Sequence, residues 1–151
     1  MKAILDKAVE LAFIEAKLAY DQGEVPVGAV IFSNTEIIAA AHNLVETHKN
    51  PLYHAEFLAI SNALTLGTDK FLSELNMYVT LEPCPMCAQA ISFTRLKRVY
   101  FGASDPKSGG VINGPKIFNS SSCHFAPEIY PGIHEEAATE LLQDFFRKLR
   151  K

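Results

Sequence analysis

Residues 77–101 read MYVTLEPCPMCAQAISFTRLKRVYF, and this stretch decides the fold. Met77 to Leu81 is a short apolar run with β-branched members, closed off by Pro83 and Pro85, which is the pattern of a buried strand. Residues 86–96 have helical character, and residues 98–101 resume as a second short strand. Strand, helix and strand in this order make a βαβ unit, which predicts two parallel strands joined by a right-handed crossover.

Upstream, residues 27–32 and 37–41 are apolar and partly β-branched, and the polar Ser33, Asn34, Thr35 and Glu36 between them suit a hairpin turn. Before the hairpin, Ile4, Ala8, Leu11 and Leu18 fall on one face of a helix and Asp6, Glu10, Lys17 and Asp21 on another, with Gly23 as the stop. A polar stretch over 42–51 leads into a second helix over 53–66 that ends near Gly67. Downstream, residues 102–127 are rich in Gly, Ser, Asn and Pro, too polar for core and too long for an ordinary connection. A short strand over 128–130 follows, and Ala137, Leu141, Phe145 and Leu149 recur every fourth residue along a last helix. The order predicts a three-layer α/β/α fold with a mixed, five-stranded sheet.

The chain has 151 residues, 48% of them hydrophobic, which suits one domain over 1–151 with no room for a second. With 14 Lys and Arg against 17 Asp and Glu the net charge is -3, which excludes indiscriminate nucleic-acid binding. A nucleic acid must therefore meet a local basic patch. Arg147, Lys148, Arg150 and Lys151 supply one at the C-terminal end, beside Phe145 and Phe146. Phe146 can stack on bases, whereas the spacing of Phe145 with Leu141 and Leu149 favours core packing, and basic residues at a helix end also offset the macrodipole. Asp6, Lys7 and Glu10 interrupt any secretory apolar region, and no later stretch is apolar for long enough to span a bilayer, so the expected location is the cytoplasm, with no membrane partner.

Three cysteines, two of them as Cys84 and Cys87, favour metal binding over a disulfide framework. Catalytic zinc needs three protein ligands and one open position, and His54, Cys84 and Cys87 meet that requirement. Pro85 suits the first position of a helix, which places Cys84 at its cap and Cys87 in its first turn, where unpaired amides favour thiolates. Glu56 lies two residues after His54, a spacing that divides side chains between opposite faces in mid-helix but not at a helix start. There it can approach a metal-activated water as a proton carrier. The CxxC pair alone also admits a structural zinc knuckle, with His42, His48, Cys123 or His124 as fourth ligand, or a redox pair. The HAE triplet together with Pro83, Cys84 and Pro85 matches a zinc deaminase signature.

The segments EVPVGAV at 24–30, HAE at 54–56, VTLEPCPMC at 79–87 and VYFGA at 99–103, with Asp105, Lys107 and the tail LLQDFFRKLR, resemble the bacterial tRNA-specific adenosine deaminases. The resemblance implies a cytidine-deaminase-like fold and hydrolysis of adenosine to inosine at the wobble position of a tRNA anticodon, arginine tRNA in the first place, by a homodimer with one zinc per subunit. It implies His54, Cys84 and Cys87 as zinc ligands and Glu56 as the proton shuttle, a mechanism that comes with the resemblance and is not an independent inference. Asn43 matches a residue that hydrogen-bonds the base, Pro26 and Val27 match pocket residues, and Asp105 and Lys107 match contacts to the sugar and phosphate backbone. Independently of the resemblance, Phe146, Arg147, Lys148 and Arg150 are the candidates for contact with the tRNA anticodon arm.

Two stretches depart from the family pattern. Asn50, Pro51, Leu52 and Tyr53 stand where the family has Asp-Pro-Thr-Ala, and residues 108–124 follow a course of their own, including Cys123 and His124, either a second metal pair or an uninvolved loop cysteine. A deaminase of free guanine, cytosine or nucleosides would keep the same zinc set and scaffold. A noncatalytic RNA-binding subunit would keep zinc for stability. The basic tail argues against the first, and Glu56 against the second.

Overall fold

The computed structural model describes residues 1–150. Its sheet is organised around β1 (Gly28–Phe32), which is buried along its whole length and paired on both sides. On one side it pairs antiparallel with β2 (Ile37–His42), across a turn in which the Ser33 hydroxyl accepts the Thr35 and Glu36 amides. On the other it pairs antiparallel with β3 (Asn76–Leu81), to which β4 (Arg98–Ala103) and then β5 (Glu128–Tyr130) add in parallel. The order β2-β1-β3-β4-β5 is the mixed five-stranded sheet expected from the sequence.

Successive strand side chains point to opposite faces, and the two faces carry different layers. Val30, Phe32, Tyr78 and Tyr100 pack under the first helix, α1 (Lys2–Asp21), together with Ile4, Ala8 and Val9. Ala29, Ile31, Met77, Val79 and Phe101 pack on the opposite face against Ala59 and Ile91 of two further helices described below. The C-terminal helix returns to the α1 face over β4, where Gly102 leaves room for Ala138. A Cβ at Gly102 would stand 3.1 Å from that of Ala138.

Several boundaries and faces differ from the sequence expectation. In α1 Ile4 and Ala8 are buried as expected, but the buried stripe continues through Val9, Ala12, Ala16 and Ala19, while Leu11 is only partly buried and Leu18 is 43% exposed. Gly28 explains the rotation: a Cβ there would run into the Ala12 carbonyl, so the bare glycine lets the helix backbone settle on β1 and selects its small-residue face. A short helix, α2 (Val45–His48), occupies part of the polar stretch after β2. The next helix, α3 (Ala55–Leu66), starts at Ala55 and not at Tyr53, with His54 as its cap. The helix α4 (Pro85–Thr94) stops at Arg95, whose φ of 62° is left-handed, and Leu96 beyond it is core.

The loop before β5 is not excluded from the core. Val111 is buried, and Ile117 and Phe118, in and beside a 3-10 turn at Ile117–Asn119, pack against the main cluster. In α5 (Glu135–Leu149) the buried residues are Ala138 and Phe145, with Ala137 exposed and Leu149 66% exposed. A strict fourfold spacing drifts around a helix of 3.6 residues per turn, so the buried stripe has to alternate steps of three and four. No helix among the described residues is long and apolar enough to cross a membrane.

Candidate active site

Two helices begin at the same place. His54 caps α3 in an extended conformation, with ψ of 152°, and Cys84 caps α4 in the same way, with ψ of 170° and Pro85 next at a position where a missing N–H costs nothing. Because His54 lies outside the helical path, its ring and Glu56 reach the same space, which removes the spacing objection noted for HAE.

His54 Nδ1 lies 3.5 Å from Cys84 Sγ and 3.7 Å from Cys87 Sγ, and the three ligand atoms fall within 4.8 Å of one another. For comparison, tetrahedral zinc with a nitrogen at about 2.05 Å and a sulfur at about 2.3 Å separates the two by about 3.6 Å. The donor set and its spacing therefore fit zinc. His42, His48, Cys123 and His124 are not part of this cluster. His42 faces Glu15 and Gln22, with contacts of 2.9 and 3.1 Å, and His48 packs on the Tyr53 ring. Cys123 contacts Ser92, so Cys123 and His124 are not part of any His, Cys and acid cluster among the described residues.

The charges are mutually dependent. The Cys87 thiol donates to Cys84 and pulls it down to about 4, with His54 adding to the effect, while Cys87 is held far above the ordinary thiol range by that partnership and by burial. The Cys84 thiolate in turn raises His54. The two sulfurs thus share a negative charge at two positive helix ends, and a divalent cation would take the place of the proton they hold between them. Burial pushes Glu56 up to about 7, and the residue, 4% exposed, lines the adjoining cleft.

That cleft has a volume of about 690 Å³, and its lining includes Val27, Asn43, His54, Glu56 and Cys84, with Phe146 and Leu149 from the C-terminal helix. Pro26 is buried and is not among the lining residues. Asn43 lines the cleft but also holds the scaffold: its Oδ1 accepts the Ala55 amide at 2.7 Å, and its Nδ2 donates to the Val25 carbonyl at 3.2 Å. One amide proton remains for a ligand.

An outer groove of about 950 Å³ adjoins the cleft and shares Val25, Leu81, Asp105, Ser108 and Phe146 with it. Lys107, Arg147 and Arg150 line this groove, Arg147 on the face of α5 that carries Gln143 and Arg150 just past the helix end. Lys148 points elsewhere, towards Asp144 at 3.8 Å and the Tyr20 ring, and Lys151 lies outside the described residues. Tyr20 donates to Asp144 at 2.5 Å and stacks edge-on with Phe145, which holds α5 to the end of α1.

Two buried carboxylates went unnoticed in the sequence. Glu24 accepts the Glu46 amide at 3.0 Å and the Thr47 amide and hydroxyl at 2.6 Å each, and so fixes α2 as one wall. Glu82 accepts amides from the loop after β4. Burial works to raise both carboxyls, but hydrogen bonds outweigh it and hold both below the ordinary carboxylate value. The available signal was an acid beside a turn residue: Glu24 after Gly23, and Glu82 between an apolar strand and Pro83.

Comparison with known proteins places this geometry. A family model described as MafB19-like deaminase matches residues 5–150. A tRNA-specific adenosine deaminase of Rickettsia typhi is 49% identical over 144 residues, covering 94% of this chain and 97% of that protein. One of Bacillus subtilis is 46% identical over 141 residues, covering 93% and 87%. A solved structure from work on A-to-I editing by tRNA:A34 deaminases at the wobble position of transfer RNA superposes with a TM-score of 0.89 at 41% identity, covering 91% of this chain and 99% of that one.

Two outcomes are expected. The purified protein should carry about one zinc per chain by elemental analysis, with Cys87→Ala losing it and Cys123→Ala keeping it. Glu24→Gln should lower stability to urea at pH 7 by about 1–3 kcal/mol, because buried donors lose a charged acceptor. The folded Glu24 carboxyl lies below its ordinary value of 4.5, so its contribution is present above that pH and is lost as pH falls through the folded value. The wild type should therefore lose its advantage over Glu24→Gln on acidification.

Proposed function

The chain belongs to the MafB19-like deaminase family and to the tRNA-specific adenosine deaminases, and from that membership we propose that it hydrolyses adenosine to inosine at the wobble position of a tRNA anticodon. The observation that carries the reading is the position of Glu56, a buried carboxyl facing the same cleft as His54 and Cys84. A structural zinc knuckle needs no such acid, and a redox pair needs no imidazole.

Zinc, held by His54, Cys84 and Cys87, would supply Lewis-acid activation of water at neutral pH. In the reaction a C–O bond forms at C6 of the base, the C6–N bond breaks and the amine leaves as ammonia. Glu56 accepts a proton from the attacking water, delivers one to the ring nitrogen and then assists departure of the amine. Its burial favours both roles, since it raises the affinity of the carboxyl for a proton. Asn43 offers its remaining amide proton to the base, and Val27 gives it an apolar wall, with Pro26 supporting that wall from behind.

The outer groove is where the rest of the anticodon arm would lie. Lys107, Arg147 and Arg150 bring positive charge to a chain whose net charge is -3, and the half-exposed Phe146 offers a stacking face at the junction with the cleft. Asp105 and Lys107 flank the target nucleotide. Lys148 then contributes to the field around the arm and not to the groove itself. The resemblance extends the proposal to one deaminase domain over the chain, a cytoplasmic homodimer with one zinc per subunit, and arginine tRNA as substrate.

Incubation with an anticodon stem-loop followed by sequencing, in which inosine reads as guanosine, tests this. The wild type should convert the wobble adenosine, and Glu56→Ala should lose at least about 100-fold in rate while keeping its zinc. Ammonia release from free guanine or cytosine with an inert stem-loop would overturn the reading.

A further inference from the structure

We propose that Glu82 is a positioning residue: its carboxylate clamps loop 104–113 onto the metal-binding turn, so that the groove wall and the zinc ligands are set as one unit. This rests on the deaminase reading above for its catalytic consequence, though not for the clamp itself. The loop concerned runs into the stretch that departs from the family pattern.

The carboxylate is 2% exposed and meets five donors, all from one loop. Oε2 accepts three consecutive amides, Val111 at 3.0 Å, Ile112 at 2.9 Å and Asn113 at 3.1 Å. Oε1 accepts the Asp105 amide at 2.9 Å and the Asn113 side-chain amide at 2.6 Å. Consecutive amides converging on one point form a concavity suited to an anion, here filled by the chain itself. No cation pairs with Glu82 among the described residues, so its charge is balanced by loop dipoles.

The clamp joins two parts that catalysis needs in register. Glu82 lies two residues before Cys84, and its own amide donates to Ala103 of β4 at 2.8 Å. The loop returns the contact, because Gly110 donates to the Pro83 carbonyl at 2.8 Å. A Cβ at Gly109 would come within 2.5 Å of the Glu82 carboxyl, and one at Gly110 within 2.5 Å of Pro85 N, so two bare residues let the loop lie flat on the turn. Within the loop Asp105 Oδ1 accepts the Lys107 and Ser108 amides at 3.2 and 3.0 Å, which carries the fixed position into the wall shared by cleft and groove. Without the carboxylate five donors converge with no acceptor, and water can satisfy them only if the loop lifts.

The test compares zinc-loaded wild type with Glu82→Gln, whose amide turns a donor towards donors, and with the milder Asn113→Ala, which remains informative should the first not fold. Zinc content and exchange protection in α1 should stay unchanged, while amides 105–113 should exchange at least about 10-fold faster in either variant. Stem-loop kcat/KM should fall by about 10- to 100-fold, and Glu82→Gln combined with Asn113→Ala should cost clearly less than the two single losses together, because the two residues are partners in one clamp. Unchanged loop exchange, zinc lost in step with activity, or fully additive losses would overturn the clamp. If exchange responds as expected and the wild type edits no stem-loop, the clamp stands and the proposed function falls. Equal editing by wild type and both variants would sink the positioning role.

Discussion

Two helices that start at one point impose the constraint on which the site depends. The N-termini of α3 and α4 carry unpaired amides and the positive ends of their dipoles, and bringing them together is unfavourable unless negative groups sit between them. Cys84 and Cys87 meet that need, and His54 closes the set at 3.5 and 3.7 Å. The same field that favours thiolate there prepares the sulfurs for a cation. Chemistry and local folding thus ask for the same residues at the same positions.

The cleft beside the ligands is held by acids whose own charge never reaches solvent. Glu24 is 1% and Glu82 2% exposed, and each is satisfied by amides of a neighbouring segment, α2 for Glu24 and the loop after β4 for Glu82. Carboxylates surrounded by N–H groups behave as rigid joints, since every donor would be stranded by their removal. Glu56 differs in having no comparable set of donors. Its burial therefore raises its affinity for a proton, where hydrogen bonding lowers that of the other two. Three buried acids in one neighbourhood divide in this way into two whose proton affinity is lowered by their donors and one whose affinity is raised by burial.

Much of this was legible in the residues. The βαβ unit, the hairpin, the mixed sheet and the convergence of His54, Cys84 and Cys87 follow from periodicity, turn chemistry and the CPMC and HAE motifs, because these are local signals. The face of α1 was not, since Leu18 outranks alanine by hydropathy and only the contact of Gly28 with Ala12 reveals which side packs. Leu149 failed for a related reason: a fourfold pattern looks like a stripe on paper and winds off the core in space. Glu24 and Glu82 were invisible as anchors because their partners lie 22 to 31 residues away, in segments that read as polar loop. The tail gave its charge but not its direction, and only the fold separates Arg147 and Arg150, which face the groove, from Lys148, which faces Tyr20.

The central claim is a three-ligand metal site whose fourth position opens onto the Glu56 cleft. X-ray absorption at the zinc edge of the purified protein reads this directly. The account predicts two sulfur scatterers at about 2.3 Å and two light scatterers near about 2.0–2.1 Å, one of them exchangeable. A third sulfur at bonding distance, or a second imidazole completing the shell, would make the site a closed structural one and contradict the account.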